Sequence, residues 1–243
     1  MSERVILITG ANGVLGDAIA RTFLAESPDN FVWLGVHVGR DRADALAAEA
    51  SGRASVLPLD VTAPDAWRAA VQKITARHDR LDVLVNNAGG HDDALLGTMR
   101  PEAWERVRRL NLDAVFHGCR AVLPAMITRR SGRIVNLASL SAWLAPAGQT
   151  NYAAAKAGVL ALTQSLAKEV ARLGITVNAV CPGYVDTGAL DGLSPEARRE
   201  ALARVPMRRF GRPEEVAAAV RFLACSEAGY ITGSALKIDG GIL

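Results

Sequence analysis

Short apolar runs alternate with longer amphipathic stretches along most of this 243-residue chain. Seven of the apolar runs have the length and composition of buried strands: VILIT, FVWLGV, SVLPLD, LDVLVN, RIVNLA, ITVNAV and ALKID. Several of the stretches between them begin with a proline followed by an acidic residue, as at Pro101, Pro195 and Pro213. This alternation predicts an α/β fold, a Rossmann-like, doubly wound parallel sheet of about seven strands with helices on both faces.

The chain shows no linker, internal repeat or low-complexity tract, so we expect a single domain over residues 1–243. Two helical stretches, from about 101 to 129 and from about 151 to 172, are longer than a crossover between neighbouring strands requires. We expect their spare apolar surface to pack against a second subunit. Another helical stretch lies within residues 184–207, where we expect a mobile substrate lid.

Composition and charge argue against several classes of protein. The formal net charge is +3 and no basic run is interleaved with aromatic residues, so nucleic-acid binding is not expected. We see neither a secretory signal nor an apolar run of about 20 residues, and we expect a cytoplasmic protein without a membrane span. Cys119, Cys181 and Cys225 lie far apart without metal-ligand spacing. We therefore expect neither a disulfide framework nor a metal site.

A glycine-rich segment, TGANGVLG, follows the first predicted strand and precedes the first predicted helix. A loop at such a junction can receive the phosphates of a nucleotide at the helix N-terminus. In that arrangement Gly10 makes the tight turn, Gly13 lets the backbone approach a pyrophosphate, and Gly16 lets the helix pack closely on the sheet. The spacing is Gly-x-x-Gly-x-x-Gly rather than the usual dinucleotide pattern, and simple turn chemistry is the alternative.

Polar and small residues also end two other predicted strands. Asp60 ends the run SVLPLD, and LDVLV is followed by NNAG at residues 86–89. Both segments are expected at the carboxyl edge of the sheet, where open α/β sheets bind ligands. The Asp60 carboxylate is placed either to accept a hydrogen bond from an adenine amino group or to cap the next helix.

Tyr152 and Lys156 lie four residues apart in an alanine-rich helical stretch, so both side chains project from one helix face. A neighbouring ammonium stabilises a phenolate and lowers the pKa of a tyrosine from about 10 toward the working pH. Tyr152 is thus a candidate general acid, and Ser139, after the strand RIVNLA, is placed to hydrogen-bond the oxygen that the phenol protonates. The alternatives are an ordinary surface pair and a serine that caps its own turn.

Together these segments resemble the short-chain dehydrogenases/reductases in their compact single-domain form. The likeness extends over residues 4–243 and includes the glycine loop, NNAG, LNLD, the Y-A-A-A-K segment and CPGYVDT. It implies a catalytic tetrad of Asn111, Ser139, Tyr152 and Lys156. In this tetrad Tyr152 protonates a carbonyl oxygen and Ser139 orients it. Lys156 binds the nicotinamide ribose and lowers the pKa of the tyrosine, while Asn111 holds a water that relays protons to Lys156.

The resemblance also implies a bound nicotinamide dinucleotide, with Thr187 on its carboxamide. The second strand ends in GVHVGRD, and the absence of an early acidic residue there favours NADP(H), with His37 and Arg40 near the 2′-phosphate. The expected cofactor contacts are Gly10, Asn12, Gly13, Val14, Leu15, His37, Arg40, Asp60, Val61, Asn87, Ala88, Gly89, Tyr152, Lys156, Pro182, Gly183, Val185 and Thr187.

Within the family, the sequence is most similar to bacterial 3-oxoacyl-[acyl-carrier-protein] reductases, in the C-terminal run from PMRRFGRPEEV to KIDGG and in GQTNYAAAKAG. This implies NADPH-dependent reduction of a 3-oxoacyl thioester to the 3-hydroxyacyl thioester in fatty-acid or polyene-type chain synthesis. It also implies a homotetramer and an acyl-carrier-protein partner that meets Arg129 and Arg172. Ordinary solvated helix ends are the alternative for these two arginines.

Two departures from the pattern of these reductases lie on the substrate side. Gly90 and His91 follow NNAG in place of a β-branched pair, and Trp143 follows Ser139 beside the expected pocket. The expected substrate contacts are His91, Trp143, Gln149 and Tyr184, and a purely structural wall is the alternative for Trp143. Another small ketone or alcohol, such as a sugar, a polyol or a steroid-like molecule, is the alternative substrate. A catalytically silent dinucleotide-binding scaffold is the alternative class of protein.

Overall fold

The computed structural model describes residues 4–188 and 194–243. Its strands are β1 (Arg4–Thr9), β2 (Asn30–Val36), β3 (Ala54–Pro58), β4 (Val83–Asn86), β5 (Gly132–Leu137), β6 (Ile175–Pro182) and β7 (Ala235–Ile238). Within the described residues these seven strands form one parallel sheet in the order β3, β2, β1, β4, β5, β6, β7. The predicted doubly wound α/β fold is confirmed.

The helices follow the strands in alternation, as the sequence predicts. They are α1 (Val14–Glu26), α2 (Asp41–Glu49), α3 (Pro64–His78), α4 (Pro101–Arg108), α5 (Ala114–Arg129), α6 (Ser141–Leu144), α7 (Thr150–Val170), α8 (Pro195–Ala203) and α9 (Pro213–Ala224). A π-helical segment, Arg109–Asp113, joins α4 to α5, so residues 101–129 are helical throughout. Short 3₁₀ segments lie at Leu96–Thr98 and Ala171–Leu173. Of the expected lid, residues 189–193 lie outside the described residues.

Two apolar layers cover the sheet, one on each face. On one face α3, α5 and α7 pack around side chains such as Trp67, Met126 and Val159. On the other, α1, α2 and α9 pack around Phe23 and Val220. Because both faces are covered, the central strands are apolar along their whole length rather than alternating. No helix within the described residues is long and apolar enough to cross a membrane.

The strand order reverses between β1 and β4, since the chain runs outward from β1 to β3 and then returns to the other side of β1. The loops that follow β1 and β4 therefore diverge from the sheet and leave a crevice between them at its carboxyl edge. TGANGVLG is the first of these loops and NNAG begins the second. The topology thus brings together two segments that lie about eighty residues apart in the sequence.

Candidate active site

A cleft of about 1310 Å³ opens at this crevice. It is larger than the roughly 300–1,000 Å³ that hold a drug-sized ligand, so it has room for a dinucleotide and a substrate together. Every expected cofactor contact except Arg40 lines it, as do Ser139, His91 and Tyr184. Asn111, Trp143 and Gln149 are not among the lining residues.

The glycine loop has the shape that a nucleotide phosphate requires. Gly10 has a φ of +65°, and a Cβ there would lie 2.9 Å from Ala88 Cα. A Cβ on Gly16 would lie 2.4 Å from the Gly10 carbonyl oxygen. At Gly13, the middle glycine, the Gly10 carbonyl oxygen is the one atom within 4 Å of an added Cβ, at 3.4 Å, and Gly13 directly precedes the N-terminus of α1. The loop therefore fits a pyrophosphate, which the amide groups and dipole of α1 would attract.

Thr9 joins the two loops that form the crevice. Its hydroxyl accepts hydrogen bonds from the backbone N–H groups of Asn87 and Ala88, each at 3.0 Å. The Asn87 side chain returns a hydrogen bond to the Thr9 carbonyl oxygen at 2.8 Å. Thr9 is 1% exposed, so these bonds are shielded from water and hold the two loops in a fixed relation.

Asn12 has a structural role beyond the expected cofactor contact. Its Oδ1 accepts hydrogen bonds from the backbone N–H groups of Arg42 and Ala43 at 3.0 and 3.2 Å. These are otherwise unpaired N–H groups in the first turn of α2, so Asn12 caps that helix from a distant loop.

At the adenosine end of the cleft, the structure does not bring Arg40 to the site. Its guanidinium donates to the Asp44 carboxylate at 2.6 and 2.9 Å. The reason is helical spacing, because residues four apart on α2 face each other. His37 does line the cleft, and its Nε2 lies 3.9 Å from Asp60 Oδ2.

Asp60 has one oxygen in a turn and the other toward the cleft. Its Oδ1 accepts from the backbone N–H and the hydroxyl of Thr62 at 2.9 and 2.8 Å. Burial raises the pKa of Asp60, but the two hydrogen bonds from Thr62 and the charges of His37 and Arg109 bring it below its ordinary value. Asp60 is therefore an anionic acceptor, and the turn that it stabilises directly precedes α3.

Tyr152, Ser139 and Lys156 lie together at the carboxyl ends of β5 and β6. Tyr152 and Lys156 are on the first turns of α7, and Ser139 follows β5. Lys156 is 4% exposed, and its Nζ donates to the Leu137 carbonyl oxygen at 2.7 Å. The same Nζ lies 5.6 Å from the centre of the Tyr152 ring. The three side chains thus surround one point of the cleft wall, as the spacing in the sequence predicts.

The expected lowering of the Tyr152 pKa by Lys156 is wrong for this structure. Burial raises the pKa of Tyr152, the hydrogen bond with Ser139 lowers it, and the charge of Asp93 raises it, with a net rise. Burial also lowers the pKa of Lys156 to about 8. Desolvation is the largest cause of both shifts, and the ammonium donates to the Leu137 carbonyl oxygen rather than to the phenol oxygen. The phenol is consequently protonated at neutral pH, which is the form a general acid needs.

Asn111 lies in the π-helical segment and is fully buried. Its Nδ2 donates to the carbonyl oxygens of Gly90 and Val107 at 2.7 and 2.8 Å, and its Oδ1 accepts from the Gly90 N–H at 3.3 Å. A Cβ on Gly89 would lie 2.8 Å from that Oδ1 and 3.6 Å from Lys156 Nζ. The Asn111 side chain therefore fixes the NNAGG loop beside Lys156, and the relayed water stays a prediction.

On the substrate side, the expected residues separate into two groups. His91 and Tyr184 line the cleft, whereas Trp143 is 45% exposed on α6 and Gln149 bonds to other residues of the loops. Arg129 and Arg172 are exposed at the opposite edge of the sheet, where β5 and β6 begin.

Sequence reasoning missed three residues at the site. Thr9 was visible as the last residue before Gly10, but its role depends on a contact with the loop after β4. Asp93 follows the NNAG motif by four positions and acts on the Tyr152 pKa. Arg109 lines the cleft two positions before Asn111. Arg109 lies in the same helical segment as Asn111, so its place near the cleft could be expected from the predicted place of Asn111.

Comparison with known proteins agrees with this geometry. Residues 10–243 match the protein family described as Enoyl-(Acyl carrier protein) reductase. The chain is similar to the 3-oxoacyl-[acyl-carrier-protein] reductase of Thermotoga maritima, with 42% identity over 246 residues that cover 100% of this chain and 99% of the relative. The corresponding reductase of Escherichia coli is 41% identical over 239 residues, covering 98% and 97%. Nodulation protein G of a Rhizobium strain is 39% identical over 243 residues, covering 100% and 98%.

Proposed function

This chain belongs to the short-chain dehydrogenase/reductase family of oxidoreductases, and from that premise we propose that it reduces 3-oxoacyl thioesters to 3-hydroxyacyl thioesters with NADPH. The observation that carries the proposal is the arrangement of Tyr152, Ser139 and Lys156 beside a glycine loop that fits a dinucleotide. When bound, the nicotinamide cofactor supplies a hydride to the carbonyl carbon. The residues of the chain have to orient the carbonyl, provide a proton and exclude water.

Each of these tasks has a candidate side chain. The Tyr152 phenol donates its proton to the carbonyl oxygen as that oxygen gains negative charge. The Ser139 hydroxyl donates a second hydrogen bond to the same oxygen and fixes its position. Lys156, whose pKa is about 8, is mostly protonated at neutral pH and holds the ribose of the cofactor beside Tyr152. A site with these donors suits a carbonyl substrate.

The thioester substrate is supported by the names of the relatives, which are 3-oxoacyl-[acyl-carrier-protein] reductases in two cases. The family description names an enoyl reduction instead, and Nodulation protein G names no substrate. A panel of 3-oxoacyl thioesters, sugars, polyols and steroid ketones separates the alternatives, by the rate of NADPH oxidation for the carbonyl compounds and of NADP⁺ reduction for the polyols. We expect the thioesters to have the highest kcat/KM, and turnover confined to the other ketones or alcohols would contradict the proposal.

NADPH is favoured over NADH by the end of β2. The first carboxylate of GVHVGRD, Asp41, comes only after Arg40, so no early carboxylate is offered to the ribose hydroxyls, while His37 lines the cleft. In the structure Arg40 pairs with Asp44, so it has to leave that carboxylate to reach a 2′-phosphate. A phosphate with its greater negative charge competes well for an exposed guanidinium.

Replacing Arg40 with Ala is expected to weaken NADPH binding by about tenfold and NADH binding by less than about twofold, because only the former carries the phosphate. Asp44→Asn is the matched variant, since it releases Arg40 and should strengthen NADPH binding. Titration of both cofactors by fluorescence measures the four effects. If Arg40→Ala weakened the binding of NADPH and NADH equally, Arg40 would not be a residue that binds the 2′-phosphate.

An acyl carrier protein is the proposed partner, and Arg129 and Arg172 are the proposed contacts. The two arginines lie close together, because the Arg130 side chain donates to the Arg172 carbonyl oxygen at 2.8 Å. The cleft lies at the other ends of β5 and β6, about 20 Å away for a six-residue strand. We propose that a carrier protein bound to these arginines serves the cleft of another subunit.

This requirement supports the proposed homotetramer. Phe116 and Ile127 are 46% and 40% exposed on α5, and apolar side chains on long helices are suited to contacts between subunits.

We also propose a cytoplasmic location. Cys119, Cys181 and Cys225 are all buried and unpaired with one another, as in proteins of a reducing compartment.

A further inference from the structure

His91 is a cleft residue that the catalytic chemistry above does not use. It lies in the loop after β4, and its ring faces that of Tyr152 edge-on, with the two ring centres 6.4 Å apart and the planes at 75°. It is thus next to the proposed proton donor and lines the same cleft. A titratable side chain in this place can bind a second polar group of the substrate.

A chain of polar contacts ties His91 to the catalytic serine. His91 Nδ1 lies 3.4 Å from Asp93 Oδ1, and the other oxygen of Asp93 accepts from Gln149 Nε2 at 2.8 Å. Gln149 Oε1 accepts from the Ser141 hydroxyl at 2.9 Å. The Ser141 N–H donates to Ser139 Oγ at 3.1 Å. These contacts form a polar network from His91 to Ser139. The network connects the loop after β4 with the segment after β5 and holds the two residues in relation to each other.

The polar network also determines which nitrogen of His91 is left to face the substrate, because Asp93 lies beside Nδ1. A carboxylate beside Nδ1 favours the tautomer with the proton on Nδ1. Nε2 has no hydrogen-bond partner within the described part of the chain. In that tautomer Nε2 is an acceptor, so it can hold a water that donates one hydrogen bond to Nε2 and the other to a carbonyl oxygen of a ligand.

From this geometry we propose that His91 is a positioning residue that binds the second carbonyl of a 1,3-dicarbonyl substrate, while Tyr152 and Ser139 hold the first. The proposal rests on the proposed function, because in a 3-oxoacyl thioester the thioester carbonyl is that second group. Its oxygen lies about 3 to 5 Å from the 3-oxo oxygen for ordinary bond lengths. The separation of the His91 and Tyr152 rings allows the two side chains to reach both oxygens, His91 through the water on Nε2.

The test compares a thioester and a monoketone in two variants of His91. The substrates are acetoacetyl-N-acetylcysteamine and a linear ketone of similar length without a second carbonyl. We expect His91→Phe to lower the ratio of their kcat/KM values by about tenfold, mainly through the KM of the thioester. His91→Gln keeps a polar amide that can hold the same water, and we expect it to restore the ratio to within about threefold of the native value.

Asp93→Asn tests the polar network that holds His91. Asp65→Asn is its control, because it removes an exposed carboxylate outside the cleft. We expect only Asp93→Asn to raise the KM of the thioester, by about threefold or more. An unchanged ratio in His91→Phe, with native thioester turnover, would overturn the role of His91 alone. Absence of thioester turnover in the native protein would instead overturn the proposed function.

Discussion

Replacing Tyr152 with Phe is expected to lower kcat/KM for carbonyl reduction by about a thousandfold, within the range that general acid catalysis contributes. The variant keeps the ring, which is partly buried between α7 and the loop after β4, and loses only the hydroxyl that interacts with Ser139. The fold and the dinucleotide loop should therefore persist. Steady-state kinetics and NADPH titration of the same preparation separate lost chemistry from lost binding.

The matched control is Tyr230→Phe, which removes a hydroxyl from a fully exposed side chain. We expect it to retain native kcat/KM. If Tyr152→Phe kept more than about a tenth of the native rate, the assignment of Tyr152 as proton donor would be wrong. A loss of NADPH binding in parallel with the rate would instead indicate that the hydroxyl holds the cofactor.

Replacing Lys156 with Met is expected to abolish most of the activity and to stabilise the protein. Burial lowers the pKa of Lys156 to about 8, from an ordinary value of 10.5. At neutral pH the folded chain therefore contains a buried ammonium, and the desolvation of this charge destabilises the fold. The difference in pKa corresponds to about 3 kcal/mol. The loss of the hydrogen bond to the Leu137 carbonyl oxygen opposes it by about 1 kcal/mol, which leaves a net gain of about 2 kcal/mol near pH 7.

The pH dependence of unfolding gives the sign of this effect. Between pH 8 and 10.5 the unfolded chain holds the proton on Lys156 and the folded chain does not, so native stability rises with pH in this window. The advantage of Lys156→Met should accordingly shrink over the same window. Urea unfolding at a series of pH values measures it, with Lys168→Met as the control on an exposed position of the same helix. A Lys156→Met protein less stable than the native one at pH 7 would contradict the buried ammonium.

The fold could be predicted from the sequence because its signals are local and repeated. All seven predicted strands are present in the described residues, and the proline and acidic residues mark the starts of α4, α8 and α9. The predicted long helices have a feature that periodicity alone does not show. At the π-helical segment, Asn111 donates to Val107 four residues before it and to Gly90 in the loop after β4, and only the topology brings Gly90 within reach.

The site was predicted where it depends on spacing along one element, and missed where it depends on contacts between elements. Tyr152 and Lys156 share one face of α7, so their proximity follows from helical geometry. The pKa of Tyr152 could not be predicted in this way, because it depends on burial and on Asp93 from a different loop. Arg40 is expected at the cofactor from its place after β2, but Asp44, four residues further on, pairs with its guanidinium.

The central claim is that this site reduces the 3-oxo group of an acyl thioester with a proton from Tyr152. The most direct measurement incubates the protein with NADPH and either a 3-oxoacyl or a 2-enoyl thioester of the same length, and identifies the products by mass spectrometry. We expect the 3-oxoacyl substrate to give the 3-hydroxyacyl thioester in an amount equal to the NADPH consumed, and Tyr152→Phe to give almost none. No product from the 3-oxoacyl thioester, or reduction of the enoyl thioester alone, would contradict the account.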